Sequence, residues 1–268
     1  DMPAEQVVSE TDRLWEQVKP LYEQLHCYTR NKLVAEYGAD ALRFTLARGS
    51  NPGVDLPLTA PRHFRRNRGR AVTDSAVIME YLEDILPGAL RPEDAFGAAK
   101  VRAMMRFIDE VPTPAIRVPS YNLAFLPHYQ AMTAEEFQAV CDAKPLRREF
   151  LMKMGRSGFP EQEMNEALGR LERGVQRMAT WLSDNGGPWL MGEQMTLADI
   201  AIMPVIVRMD DIGLSSMWTE TPAIQGWLDA IRETGAFTET YYYGSLLTEK
   251  YPHLKTAKPE LRVAGSGL

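Results

Sequence analysis

The chain has 268 residues, is 45% hydrophobic and carries a net charge of −6, so it has the apolar content for one large or two modest cores. Its apolar runs fall short of the roughly 18 residues that a bilayer crossing needs, its polar, acidic start lacks a signal-peptide pattern, and Cys27 and Cys141 offer no disulfide framework. A reduced, cytoplasmic protein is expected, with Asp1 leaving the natural start open.

Charge is uneven: residues 1–70 balance at +2 and the remainder at −8. From Ser9, Leu14, Val18, Leu21, Leu25 and Tyr28 recur every three or four residues, a helical stripe interrupted by Pro20. A second helix is expected from Asp40 to Ala47, before the breaker cluster Gly49-Ser50-Asn51-Pro52-Gly53. The stretch from Leu14-Trp15-Glu16-Gln17 to Leu25-His26-Cys27-Tyr28, within residues 9–38, resembles a helical segment of the angiotensin-converting-enzyme type of zinc dipeptidase. Glu36-Tyr37-Gly38-Ala39-Asp40-Ala41-Leu42-Arg43-Phe44-Thr45-Leu46-Ala47, with Asn51-Pro52-Gly53 and Asp55 after it, within residues 35–55, resembles a segment of valyl-tRNA synthetases. Neither activity follows. The zinc enzyme needs His-Glu-x-x-His on one helix face, whereas His26, His63, His128 and His253 are scattered, and no Lys-Met-Ser-Lys-Ser run precedes Glu36. Residues 9–55 therefore read as helical scaffold without either chemistry, and no metal is expected.

Between Arg62 and Arg70 stand five arginines in nine residues. Such a run suits phosphate or RNA, but one aromatic and an acidic remainder make a poor nucleic-acid surface. A solvated junction loop is the expected use.

Beyond it, Asp74 or Ser75 caps a helix whose Val77, Ile78, Tyr81, Leu82 and Ile85 form the expected buried stripe. Free amides at that start suit a carboxylate ligand as well as a cap. A helix over Ala95 to Val111 turns Val101, Met104, Met105 and Ile108 inward, after which Pro112, Pro114 and Pro119 predict an extended passage. Residues 135–153 read as two helices parted near Pro145. Met164, Leu168, Leu171, Val175, Met178 and Leu182 then step by four and three until Asn185-Gly186-Gly187-Pro188, the clearest amphipathic helix in the chain.

Thr196 and Asp199 form a capping box in its acid variant, opening an apolar run to Val207. This helix is expected to be the buried axis of the domain. One more helix follows over Pro222 to Ile231 with Ile224, Trp227, Leu228 and Ile231 inward, and the tail from Tyr241 is expected to lie extended over the surface. The 14 methionines fall mostly on helix stripes and read as core.

Trp189-Leu190-Met191-Gly192-Glu193 followed by Met195-Thr196-Leu197-Ala198-Asp199-Ile200 is similar to the signature of the glutathione transferase carboxyl-terminal domain. By that resemblance the Thr196–Asp199 box serves folding alone. Asp74-Ser75 resembles the acid-Ser element that holds the γ-glutamyl end of glutathione in this family. Glu110 to Asn122, with Gly158-Phe159-Pro160, is similar to the bacterial beta-aryl-etherase branch. The resemblance spans about residues 71–260. It implies glutathione as co-substrate, a hydrophobic aromatic electrophile near Arg117, Tyr121 and Asn122, and a homodimer. It implies a glutathione thiolate attacking an aryl-ether carbon, which requires a donor that lowers the thiol pKa from about 8.5.

The family's donor sits in an amino-terminal thioredoxin-like domain beside a Val-Pro element, of which Leu56-Pro57-Leu58 is a faint echo 17 residues before Asp74. Cys27, Tyr28 and Ser50 are available groups without matching context. The reading is a mainly α fold: an atypical helical segment over 1–70 in place of a complete thioredoxin-like domain, a transferase-like bundle over 71–240 and a tail over 241–268. Two functions remain open, a glutathione-dependent transferase with weak thiol activation and a non-catalytic helical module for protein assembly. Three unrelated family segments side by side also fit a mosaic chain.

Overall fold

The computed structural model describes residues 66–67, 70–71, 74–85, 90–241 and 244–256. The expected helices of residues 9–47 and the Leu56-Pro57-Leu58 element lie outside them. Two short strands, β1 (Arg66–Asn67) and β2 (Arg70–Ala71), pair antiparallel with Arg66 opposite Ala71. The arginine-rich stretch is therefore a hairpin in part, where a junction loop was expected. It leads into α1 (Ser75–Ile85).

The buried face of α1 is Ile78, Met79, Leu82 and Glu83, while Val77 is 52% exposed. The face is thus rotated from the expected stripe, which included Val77. Glu83 explains the difference: its carboxylate accepts from the amide of Leu90 at 3.1 Å, and the Leu90 carbonyl accepts from the amide of Leu197 at 2.9 Å. A polar residue enters the core because it ties the end of α1 to the start of the central helix, and its burial is offset by that hydrogen bond.

Next, α2 (Ala95–Glu110) is capped by Asp94, which accepts from Gly97 N at 2.8 Å. It buries Val101, Met104, Met105 and Ile108, as the stripe requires. Residues 112–130 are not extended. They form α3 (Pro112–Ala115), α4 (Arg117–Ser120), a π-helical turn (Tyr121–Phe125) and α5 (Leu126–Gln130). Pro112, Pro114 and Pro119 each sit in the first turn of a short helix, where a backbone N–H has no intrahelical partner to lose.

Two helices flank Pro145 as expected, α6 (Ala134–Asp142), closed by a Thr133–Glu136 capping box, and α7 (Arg148–Met154), with a 3-10 turn at Pro145–Arg147 between them. The long α8 (Glu161–Asn185) buries Leu168, Leu171, Val175, Met178 and Leu182 and ends on Gly186 at φ 65. The central α9 (Leu197–Asp211) is buried on nearly every side from Leu197 to Met209 and packs against α2, α3 and α10 (Pro222–Arg232). Ile224, Trp227, Leu228 and Ile231 complete this core.

After α11 (Gly235–Thr240) the chain forms two more short helices, α12 (Leu247–Lys250) and α13 (His253–Thr256). The tail was expected to be extended, yet its described part is docked. Asp211, at the end of α9, accepts from Leu247 N at 2.6 Å and Thr248 N at 3.3 Å, and Leu247 is 2% exposed. The Asp211 carboxylate caps α12 and places its first residue in the core. Among the described residues no helix is long and apolar enough to cross a membrane.

Candidate functional site

The Thr196–Asp199 box is formed reciprocally at the start of α9. Asp199 is fully buried. Its Oδ2 accepts from Thr196 N at 2.8 Å and Thr196 Oγ1 at 3.1 Å, and its Oδ1 accepts from Leu190 N and Trp227 Nε1, both at 2.9 Å. Burial holds this carboxyl above the usual carboxylate range, and the four donors oppose that rise. With both oxygens saturated it is a structural joint between the 190-loop, α9 and α10. Sequence reading found the box but not Leu190 or Trp227 as its partners.

The preceding loop is shaped to reach that joint. A Cβ on Gly187 would stand 2.3 Å from the backbone carbon and oxygen of Gly192, so only glycine permits this approach. Asn185 spans the turn by donating to Leu190 O at 2.6 Å.

At the start of α1, Asp74 takes a left-handed φ of 76, a conformation that aspartate and asparagine tolerate better than other side chains. Its Oδ1 accepts from Ala76 N at 3.0 Å and Val77 N at 3.2 Å. Asp74 is thus the N-cap, and Oδ2 takes no part in the cap. Ser75, half-buried, is the first helical residue. On α2, Asp109 is held above the usual carboxylate range by desolvation and then by the charge of Asp74. The Asp74 charge beside Asp109 makes this an anionic locus that suits an ammonium, while the amides of Ala76 and Val77 are taken by Asp74 Oδ1 and that of Ile78 by the Asp74 carbonyl.

A second group lies on residues 117–159. Arg147 donates to the Tyr121 hydroxyl at 3.2 Å, and the Tyr121 ring is packed against Phe125 and Phe150 with centroids 4.8 and 4.9 Å away. Burial, followed by the charge of Arg147, holds the Arg117 guanidinium below its ordinary proton affinity. Asn122 is committed elsewhere: it accepts from Phe159 N at 2.8 Å and donates to Phe159 O at 3.0 Å, clamping the loop before α8. The structure therefore brings Arg117 and Tyr121 together, adds Arg147, and turns Asn122 to an architectural role. Arg147 was missed because only the 3-10 turn after Pro145 carries it back to Tyr121.

Cys141 is a buried free thiol whose surroundings push its pKa up, the opposite of what a nucleophile needs. Among the described residues no group of three His, Cys, Asp or Glu side chains is arranged to hold a metal ion.

Residues 144–234 match the family described as glutathione S-transferase, C-terminal domain, and residues 2–47 match the angiotensin-converting enzyme family. The chain is 28% identical over 182 residues to protein LigF of Sphingobium sp. strain SYK-6, covering 65% of this chain and 70% of that one. It is 26% identical over 185 residues to the 2,5-dichlorohydroquinone reductive dechlorinase of Sphingobium indicum, covering 61% of this chain and 53% of that relative. A further 25 residues are 84% identical to the valine–tRNA ligase of Corynebacterium glutamicum, but span only 3% of it. The crystal structure of beta-etherase LigF superposes with a TM-score of 0.59 at 23% identity, over 74% of this chain and 92% of that one. The tau-class transferase of mango, Mangifera indica, superposes at 0.51 with 13% identity, over 80% of this chain and 94% of that one. The described helices are thus a glutathione-transferase-like bundle, with residues 144–234 carrying the match to that family's C-terminal domain.

Proposed function

We propose that this protein binds glutathione by its γ-glutamyl end at the start of α1 and works as a glutathione-dependent transferase on an aromatic electrophile, of which an aryl ether is the best candidate. The reading rests on one observation above the others: Asp74 caps α1 through Oδ1 alone, leaving Oδ2 to take up an ammonium beside Ser75 and the Asp109 charge. The LigF relative, whose solved structure is described as a beta-etherase, supports the choice of ether.

Glutathione would supply a thiolate that displaces phenoxide at the ether carbon and leaves a thioether. The chain's own residues would hold the tripeptide in line with the leaving group. Asp74 and Ser75 would fix its amino-acid end, and Arg117 with Tyr121 would face the aromatic partner. The family resemblance assigns no thiol-activating donor to any described residue. The candidates Cys27, Tyr28 and Ser50 lie outside them and lack the family's sequence context, and on that sequence ground slow turnover is expected. Mixing an aryl ether with glutathione and the protein should release a phenol and form a thioether. Failure of both products to exceed the protein-free control favours the non-catalytic helical module.

For assembly, we infer a second copy of the chain as partner. Lys100, Met104 and Phe107 of α2 and Arg177, Trp181 and Asp184 of α8 line a groove of about 310 Å³, and Phe96, in the first turn of α2, is 77% exposed. A two-fold pairing brings its cations opposite Asp184 and covers the apolar stripe. Sedimentation should give a dimer for the wild type and a monomer for Phe107→Glu.

A further inference from the structure

The arginine-bearing group on residues 117–147 carries two cationic charges, which facing an aromatic ring does not by itself require. Two guanidinium groups from separate elements lie near one phenol: Arg147 donates to the Tyr121 hydroxyl at 3.2 Å, and Arg117, four residues before Tyr121, is close enough to feel the Arg147 charge. Like charges in a half-desolvated setting repel, unless an anion lies between them.

Arg117 shows the mismatch most plainly. Its Nε is buried, and no acceptor among the described residues pairs with it, although buried donors in folded proteins are nearly always satisfied. A planar guanidinium presents parallel N–H bonds that match a carboxylate bidentately.

The backbone sets this geometry. Arg117 opens α4, and a π-helical turn begins at Tyr121, one residue after that helix ends. Turns of this kind are rare and concentrate where a side chain must be re-aimed for function. Arg147 arrives from the 3-10 turn that follows Pro145. Phe150, set edge-on to Tyr121 at 4.9 Å and against Phe159 at 4.9 Å, supplies an aromatic flank that is only partly buried.

We propose that Arg117 and Arg147 form a carboxylate-binding site for a small aromatic acid, with the partly exposed Phe150 ring as its flank. The substrate class is then an aromatic electrophile bearing an acid group. As an electrophile subsite this rests on the transferase reading above; as an anion site it stands without it.

Benzoate and its neutral counterpart benzamide are the probes, titrated calorimetrically into the full chain, with Arg117→Met and Arg147→Met as variants that keep the apolar stem. Benzoate is expected to bind at about millimolar concentration, with benzamide about tenfold weaker or undetectable. Each variant should weaken benzoate about tenfold while leaving glutathione binding unchanged. Arg117→Met should also melt no lower than the wild type in the absence of ligand, because a repulsion is removed. Equal binding of benzoate and benzamide, or benzoate affinity unmoved by both substitutions, overturns the site. Loss of glutathione binding in the wild type with benzoate binding intact overturns the transferase reading instead. The two failures are therefore distinguishable, and the benzoate-to-benzamide comparison needs no variant to fold.

Discussion

Trp227 Nε1 donates to Asp199 Oδ1 across 2.9 Å, joining α10 to the first turn of α9 through a side chain 28 residues away. The carboxylate already holds Leu190 N and both donors of Thr196, so three segments meet on two oxygen atoms. Replacing it by an amide turns one acceptor into a donor that faces other donors. Asp199→Asn should therefore lower the unfolding free energy by about 3 kcal/mol, and Trp227→Phe, which removes one donor and keeps the ring, by about 1 to 2 kcal/mol. Urea denaturation measures both. Equal, negligible losses would contradict the joint.

Two adjacent glycines should respond differently to alanine. At Gly187 the new Cβ would meet the Gly192 backbone at 2.3 Å, so Gly187→Ala must displace the loop that carries Leu190 to Asp199, at a cost of about 3 kcal/mol or more. Gly186 sits at φ 65 with nothing within 4 Å of its Cβ position. Gly186→Ala should cost only the left-handed backbone penalty of about 1 kcal/mol. Thermal midpoints of the two variants should rank in that order.

The Asp74–Asp109 pair predicts a pH dependence with a definite sign. Desolvation and the Asp74 charge raise the Asp109 carboxyl in the folded state. A raised carboxyl contributes stability that is fully present below its unfolded pKa and is lost as pH rises through the folded one. Asp74→Asn keeps the cap and tolerates the positive φ, yet removes the repulsion. The Asp109 titration, followed by NMR, should move down, and the loss of stability from acid to neutral pH should shrink. The side chain is largely exposed, so solvent screens the pair and the change is small. An unmoved Asp109 midpoint would show that desolvation acts alone.

What the sequence reveals here is what short-range physics controls. The α8 stripe, the Thr196–Asp199 box and the inward face of α10 follow from spacing and capping within a few residues, and each matches the structure. The prolines of 112–119 misled because the bias of a residue before proline toward extended backbone is overcome when each proline occupies a first helical turn. The face of α1 and the docking of the tail turn on Glu83 reaching Leu90 and Asp211 reaching Leu247, contacts that no local period encodes. The candidate site divides in the same way. Asp74 was legible as a cap within its own helix, whereas Arg147 meets Tyr121 across 26 positions. Asn122 resembled a pocket residue in sequence but spends its amide on Phe159.

Calorimetric titration of the intact chain with glutathione, repeated on Ser75→Ala, bears most directly on the central reading. Binding at about millimolar ligand, weakened about tenfold by the loss of the Ser75 hydroxyl, is the result that a γ-glutamyl cradle at the start of α1 predicts. No heat of binding to the wild type at that concentration, or the same affinity in both proteins, would contradict it.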